Sequence, residues 1–158
     1  MAHGAPDWWS RAHIDIIAQA LAYLEQRPMY GEAKMVEGDV LISANSSGTL
    51  VQITGKGKLY SGYIRIVTDH SVKKDAIRWY IDGNLIYETT WWDFIRFGAS
   101  RPYESLMWAN CYDEVNNYFT AGLMSDITFE ESLKLTYENN SDYNVIVYCN
   151  LTYTLMQT

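Results

Sequence analysis

Apolar and polar positions alternate with two different periods along this chain. From Asp7 to about Arg27 the period is helical. At 100° per residue, Trp9, Ala12, His13, Ile16, Ile17, Ala20, Leu21, Tyr23 and Leu24 share one broad face. Arg11, Asp15, Ala18, Gln19, Glu25 and Gln26 take the other. Pro6 and Asp7 give a start signal and Pro28 a stop. The apolar arc is too wide for a helix that rests on one sheet, so it predicts an element covered on two sides, one of them by a neighbour. Trp8 lies off the stripe, beside the polar face.

After Pro28 the period is two. In Val145–Leu155 the odd positions carry Val145, Val147, Cys149, Leu151, Tyr153 and Leu155. The even ones carry Ile146, Tyr148, Asn150, Thr152 and Thr154, which places one face on a core and the other elsewhere. Ile127–Tyr137 alternates as well, with Glu131 the exception on its apolar face. The polar cluster Glu138–Asp142 between these runs predicts a turn, and the two runs a long C-terminal hairpin. Further strands are predicted at Val36–Ala44, Thr49–Thr54, Leu59–Val67, Ile77–Asp82, Leu85–Thr89, Leu106–Tyr112 and Val115–Ala121. Asp82-Gly83-Asn84 reads as a hairpin turn. Thr90 to Gly98 reads as a helical turn, with Thr90 as N-cap, Asp93 at the third helical position and Gly98 as the stop. The expected fold is all-β: a jelly-roll-like antiparallel sandwich of seven to nine strands in residues 29–158, preceded by an N-terminal tail and amphipathic interface helix in residues 1–28.

Composition narrows the role. The 158 residues are 48% hydrophobic and 20% charged, which excludes a disordered chain, and no apolar run approaches a membrane span. The net charge of −7 is unevenly placed. Residues 1–103 carry 11 basic and 11 acidic side chains, whereas residues 104–144 carry eight acids and one base, Lys134. Without a basic block, nucleic acid is not an expected partner, nor is a membrane. The acidic third reads as a solvated face. No secretory signal is legible at the N-terminus, so synthesis in the cytoplasm is expected.

Catalytic chemistry is not legible. His3 sits in the tail, His13 on the apolar helix face, and His70 in the turn Thr68–Lys74 with no readable partner for general-base work. Gly55-Lys56-Gly57-Lys58 lacks the remainder of a phosphate loop, and Asp82-Gly83-Asn84 the remainder of a calcium loop. Asp113, Glu114 and Asp126 read as loop carboxylates. No metal-ligand spacing and no cofactor motif is found. Cys149 is predicted to face the core, and its pairing with Cys111 is left open. Asn45, Asn139 and Asn150 stand in N-x-S/T sequons.

Aromatic residues carry more information: 13 Tyr, 6 Trp and 4 Phe. In Trp8-Trp9 and Trp91-Trp92 neighbouring side chains cannot share a face, so one of each pair is expected outside the core. Tyr60, Tyr63, Tyr80, Tyr118 and Tyr148 are further surface candidates. The expected interface residues are Trp8, Trp9, Ile16, Leu21, Leu24, Trp91, Trp92, Ile146 and Tyr148.

Two stretches bear a resemblance: residues 55–67 (GKGKLYSGYIRIV) and residues 127–155 (ITFEESLKLTYENNSDYNVIVYCNLTYTL). The second is similar to the closing strands of small structural proteins of phage and other prokaryotic-virus particles, with Ser125-Asp126 where those proteins often have a glycine turn. The resemblance implies a non-catalytic, self-assembling subunit in the virion, as capsid, cement, tail or fibre component. Its partners would be itself and other virion proteins. The competing expectation is a lectin-like β-sandwich that binds glycans through exposed aromatics.

Overall fold

The computed structural model describes residues 8–25, 30–96 and 106–156. It has a helical unit before Tyr30 and a β unit from Tyr30 to Met156. Helix α1 spans Trp8–Glu25, close to the predicted bounds.

The β unit has ten strands: β1 Lys34–Ile42, β2 Ser46–Thr54, β3 Gly57–Val67, β4 Ala76–Ile81, β5 Asn84–Thr90, β6 Met107–Asp113, β7 Tyr118–Leu123, β8 Ile127–Phe129, β9 Ser132–Asn139 and β10 Val145–Leu155. A short helix α2, Trp91–Arg96, follows β5. One sheet has the order β1-β10-β3-β7-β6, with β8 beside the first part of β3; the other has the order β2-β9-β4-β5. All pairs are antiparallel, and the pairing is nested. β1 pairs with β10, β2 with β9, β3 with β8 and β7, and β4 with β5. A long two-stranded ribbon folded over on itself gives this order, which is a jelly roll. Strand β6 widens one sheet.

Alternation drives the packing. Leu133, Leu135 and Tyr137 of β9 and Val147, Cys149 and Leu151 of β10 all turn inward. They meet Ile64 and Ile66 of β3, Trp79 of β4 and Phe119 of β7 in one core. Each such aliphatic side chain contributes roughly 1.5–3 kcal/mol by leaving water. α2 starts as expected: the Thr90 hydroxyl and N–H donate to the Asp93 carboxylate, and the Asp93 N–H donates back to Thr90 Oγ1.

Three expectations are corrected. The C-terminal runs do not form a hairpin, because β9 and β10 lie in different sheets. Residues 140–144 carry the chain across the edge of the sandwich. Ile127–Tyr137 is not one strand either. It breaks at Glu130-Glu131, where the chain leaves β3 for the second sheet. Glu131, out of place in the alternation, marks this corner. Asp82 holds it: its carboxylate accepts the backbone N–H groups of Glu131 at 2.7 Å, Ser132 at 3.0 Å and Glu130 at 3.1 Å. Asp82 also forms the two-residue β4–β5 turn with Gly83, both at positive φ. The Ser132 and Glu131 amides hold the Asp82 carboxyl below the usual carboxylate range. The predicted start of β7 at Val115 is also early. The Asp113 carboxylate accepts the amides of Val115 and Asn116 and closes a turn there, and Val115 is 91% exposed at its tip.

A second carboxylate lies in the core. Asp75 is buried and accepts the Tyr137 hydroxyl (2.8 Å) and the Asn140 N–H (2.9 Å). The Tyr137 oxygen in turn accepts the Trp91 indole N–H at 3.2 Å. Burial pushes the Asp75 carboxyl up despite these bonds.

Two predictions follow from these carboxylates. The Asp82 contribution is full above the ordinary aspartate value of 3.8 and is lost as pH falls through the lower native value, because protonation removes the acceptor. Asp82→Asn therefore melts at a lower temperature than the wild type at neutral pH, and the gap narrows below about pH 4. Asp75 has the opposite sign and is common to both proteins, so the difference between their melts at a series of pH values isolates Asp82. Tyr137→Phe strips Asp75 of a donor and Trp91 of an acceptor. Urea unfolding is expected to show a loss of about 1–3 kcal/mol.

Candidate functional site

The outward residues of the larger sheet form rows fixed by strand register. In one row Asp39 of β1 lies opposite Tyr148 of β10, Tyr148 opposite Arg65 of β3, and Arg65 opposite Thr120 of β7. The next row runs Glu37, Asn150, Tyr63, Gly122 and Trp108 of β6. Trp108 lies against Gly122 so closely that a Cβ there would stand 2.6 Å from the indole ring and force it to shift. The Trp108 N–H donates to Asn110 Oδ1 at 2.6 Å.

Arg65 packs its guanidinium over the Tyr148 ring, 4.5 Å from the centroid. Its Nε is buried without a hydrogen-bond partner, as is the Thr120 hydroxyl. A cleft of about 320 Å³ opens here, with Glu37, Asp39, Tyr63, Arg65 and Tyr148 among its lining. The sign of the local charge changes across it, from two carboxylates on β1 to one guanidinium on β3. Among the described residues no ion pair joins them.

Several other surface acids are engaged. Glu130 pairs with Lys56, Asp126 with Lys58, Glu114 with Lys73, and Glu138 with Arg78. Four of the eight acids of residues 104–144 are thus paired with bases from the earlier part of the chain. Asp113, Glu114 and Asp126 have separate partners and do not form one site. Asp126 adopts φ 66°, so it stands in the left-handed conformation that glycine favours.

A second cleft of about 500 Å³ is lined by Lys73, Lys74, Thr90 and Trp92. His70 has partners that the sequence hid: it stacks on Tyr143 at 3.6 Å and meets the exposed Asp69 carboxylate at 2.7 Å.

The expected interface residues separate. Ile16 and Leu21 of α1 are exposed; the side chains of Trp8, Trp9 and Leu24 lie outside the described residues, as does His3. Trp91 is corrected: it is fully buried in the core and bonded to Tyr137, so it is no surface residue. Its neighbour Trp92 is 45% exposed, as the geometry of adjacent side chains requires. Ile146 and Tyr148 do lie on the outer sheet face, Ile146 exposed and Tyr148 half-buried. Glu37, Asp39, Arg65 and Trp108 were missed. Their outward parity is legible, but the strand neighbours that assemble them are not. Of the sequons, Asn139 is buried and its carboxamide N–H groups are engaged by three carbonyls, so the folded chain offers no acceptor there. Asn45 is exposed. Among the described residues no group of three His, Cys, Asp or Glu is placed to hold a metal.

No protein-family model matches this chain, and no curated protein shows significant similarity to it. Its chemistry is open to direct test at the cysteines. Cys149 is buried as expected, and burial pushes its thiol up to about 12. Both cysteines are free. They lie three strand spacings apart, roughly 14 Å, against the ~7 Å limit for a disulfide. Thiol titration is expected to find two free thiols in denaturant and one, Cys111, reacting in the native protein near pH 8.

Proposed function

We propose that this protein is a self-associating structural subunit with α1 as its contact element. The observation that carries the reading is the exposure of Ile14, Ile16, Ile17 and Leu21, each between 55% and 61% exposed in the single chain. Covering one such side chain is worth roughly 1.5–3 kcal/mol. A run of them on one helix is a contact surface. Its occupant is α1 of a second copy. Between His13 and Ala22 the helix carries one charged side chain apart from histidine, Asp15, so like helices approach without strong repulsion.

Placement in a virus particle is the finer part of the proposal. It draws on the similarity of residues 127–155 to closing strands of virion proteins and on the jelly roll, an architecture common to capsid and lectin domains. The lectin-like reading has its own support in the outer cleft, where aromatic and charged side chains converge.

Native mass spectrometry and light scattering on the full chain test the assembly. The wild type is expected to form a defined oligomer or larger assembly. Ile16→Asp with Leu21→Asp is expected to shift it toward monomer while the melting transition of the β unit is retained. A wild type that stays monomeric at high concentration, or a double variant that assembles as before, overturns the reading.

A further inference from the structure

We infer that the outer cleft between β1, β10 and β3 is a binding site for a neutral saccharide. This deepens the lectin-like reading and is independent of assembly through α1.

The argument starts from charge. Asp39 and Arg65 flank Tyr148 on opposite strands, so their backbones stand about 10 Å apart, two strand spacings. Glu37 lies on the same face of β1, two residues from Asp39. An anion entering the cleft meets two carboxylates to which it has no proton to donate, and a cationic ammonium meets a guanidinium from which it has no lone pair to accept. A hydroxyl meets neither obstacle. It donates to Asp39 or Glu37 and accepts from Arg65, because a carboxylate only accepts and a guanidinium only donates. A ring with several hydroxyls on its edge satisfies both sides of the cleft at once.

Shape and pre-organisation agree with this chemistry. Tyr63 and Tyr148 are diagonal neighbours on adjacent strands, roughly 7–8 Å apart. The exposed Tyr63 ring offers apolar area to the C–H face of a sugar, and both tyrosines can offer a hydroxyl to its edge. Trp108 continues the aromatic row one strand beyond the partner of Tyr63. The volume of about 320 Å³ is at the lower end of small-ligand clefts. The Arg65 guanidinium already packs over the Tyr148 ring, 4.5 Å from its centroid, before any ligand arrives, so little side-chain freedom is lost on binding. Its hydrogen-bonding capacity is not taken up by the fold: its Nε is unpartnered, and no ion pair among the described residues includes it. The bases at Lys56, Lys58, Lys73 and Arg78 are each matched by an acid.

The test uses the full chain on an array of neutral oligosaccharides of glucose, galactose, mannose and N-acetylglucosamine, with sialylated and sulfated glycans beside them. Hits are titrated in solution by NMR. At least one neutral saccharide is expected to bind and to shift the amide signals of β1, β3 and β10. Tyr63→Ala and Asp39→Asn, both at exposed positions, are each expected to weaken binding about tenfold or more. Arg65→Lys is expected not to restore what Arg65→Ala removes, since an ammonium lacks the planar fork of donors that a guanidinium presents. No binding to any neutral saccharide at millimolar concentration, binding to charged glycans alone, or binding that survives Tyr63→Ala and Asp39→Asn overturns the inference. Light scattering on the same variants keeps the two readings apart: assembly unchanged with binding lost speaks to the cleft, and assembly lost with binding kept speaks to α1.

Discussion

A rolled ribbon must change sheets, and at each change the backbone leaves one ladder before it joins the next. Unpaired, buried amides and carbonyls at such a corner would cost about 1–3 kcal/mol each. Asn139 removes that cost at the crossing from β9 to β10. Its carboxamide donates to the carbonyls of Tyr143, Ser43 and Ile42 and accepts from the Ser141 N–H and hydroxyl. One side chain thereby ties the crossing to the β1–β2 corner, almost a hundred residues earlier in the chain. Asn140 continues the tie to Asp75 and Lys74. Asp82 performs the matching task at the other corner of β9. The core strands that Leu133, Leu135 and Tyr137 fill are therefore held at both ends by buried or hydrogen-bonded polar side chains.

These ties explain what the sequence showed and what it hid. Alternation located nearly every strand because side-chain parity is a local property. Thr90 and Asp93 announced α2 because a capping box is also local. The relation of β9 to β10 was hidden, since a strand feeding a tight hairpin and a strand feeding a sheet crossing have the same alternation. The connecting Glu138-Asn-Asn-Ser-Asp142 has turn chemistry in either case. The deciding fact is the bond from Asn139 to Ile42 and Ser43, which no local pattern contains. Glu131 was the one legible warning. A charge at an inward position indicates that the strand has stopped being a strand.

The same distinction holds for the candidate site. Tyr63 and Tyr148 stood out because aromatic residues at outward parity are visible one at a time. Arg65, Asp39 and Glu37 drew no attention singly, being ordinary polar residues on the outer face of a sheet. Their meaning comes from register: β10 places Tyr148 between Asp39 and Arg65. Trp91 was misjudged for a related reason. Geometry says that one of two adjacent tryptophans leaves the core, and the tertiary partner Tyr137 decides which.

The charges of β1 also bear on whether two copies of the chain could pair edge to edge. Among the described residues β1, nine residues long, pairs on one side only, with β10, and an unpaired strand edge is the usual route to sheet-to-sheet association. Glu37 and Asp39 sit symmetrically about Gly38. A second β1 pairing antiparallel across a two-fold axis at Gly38 would set Glu37 of one copy directly opposite Asp39 of the other. Like charges in that position are destabilising. The exposed apolar residues at the ends of the strand, Met35 and Leu41, would otherwise favour that pairing. The carboxylates therefore discourage a second β1 in that register, and the proposed contact through α1, whose residues 13–22 carry one charged side chain apart from histidine, meets no such repulsion.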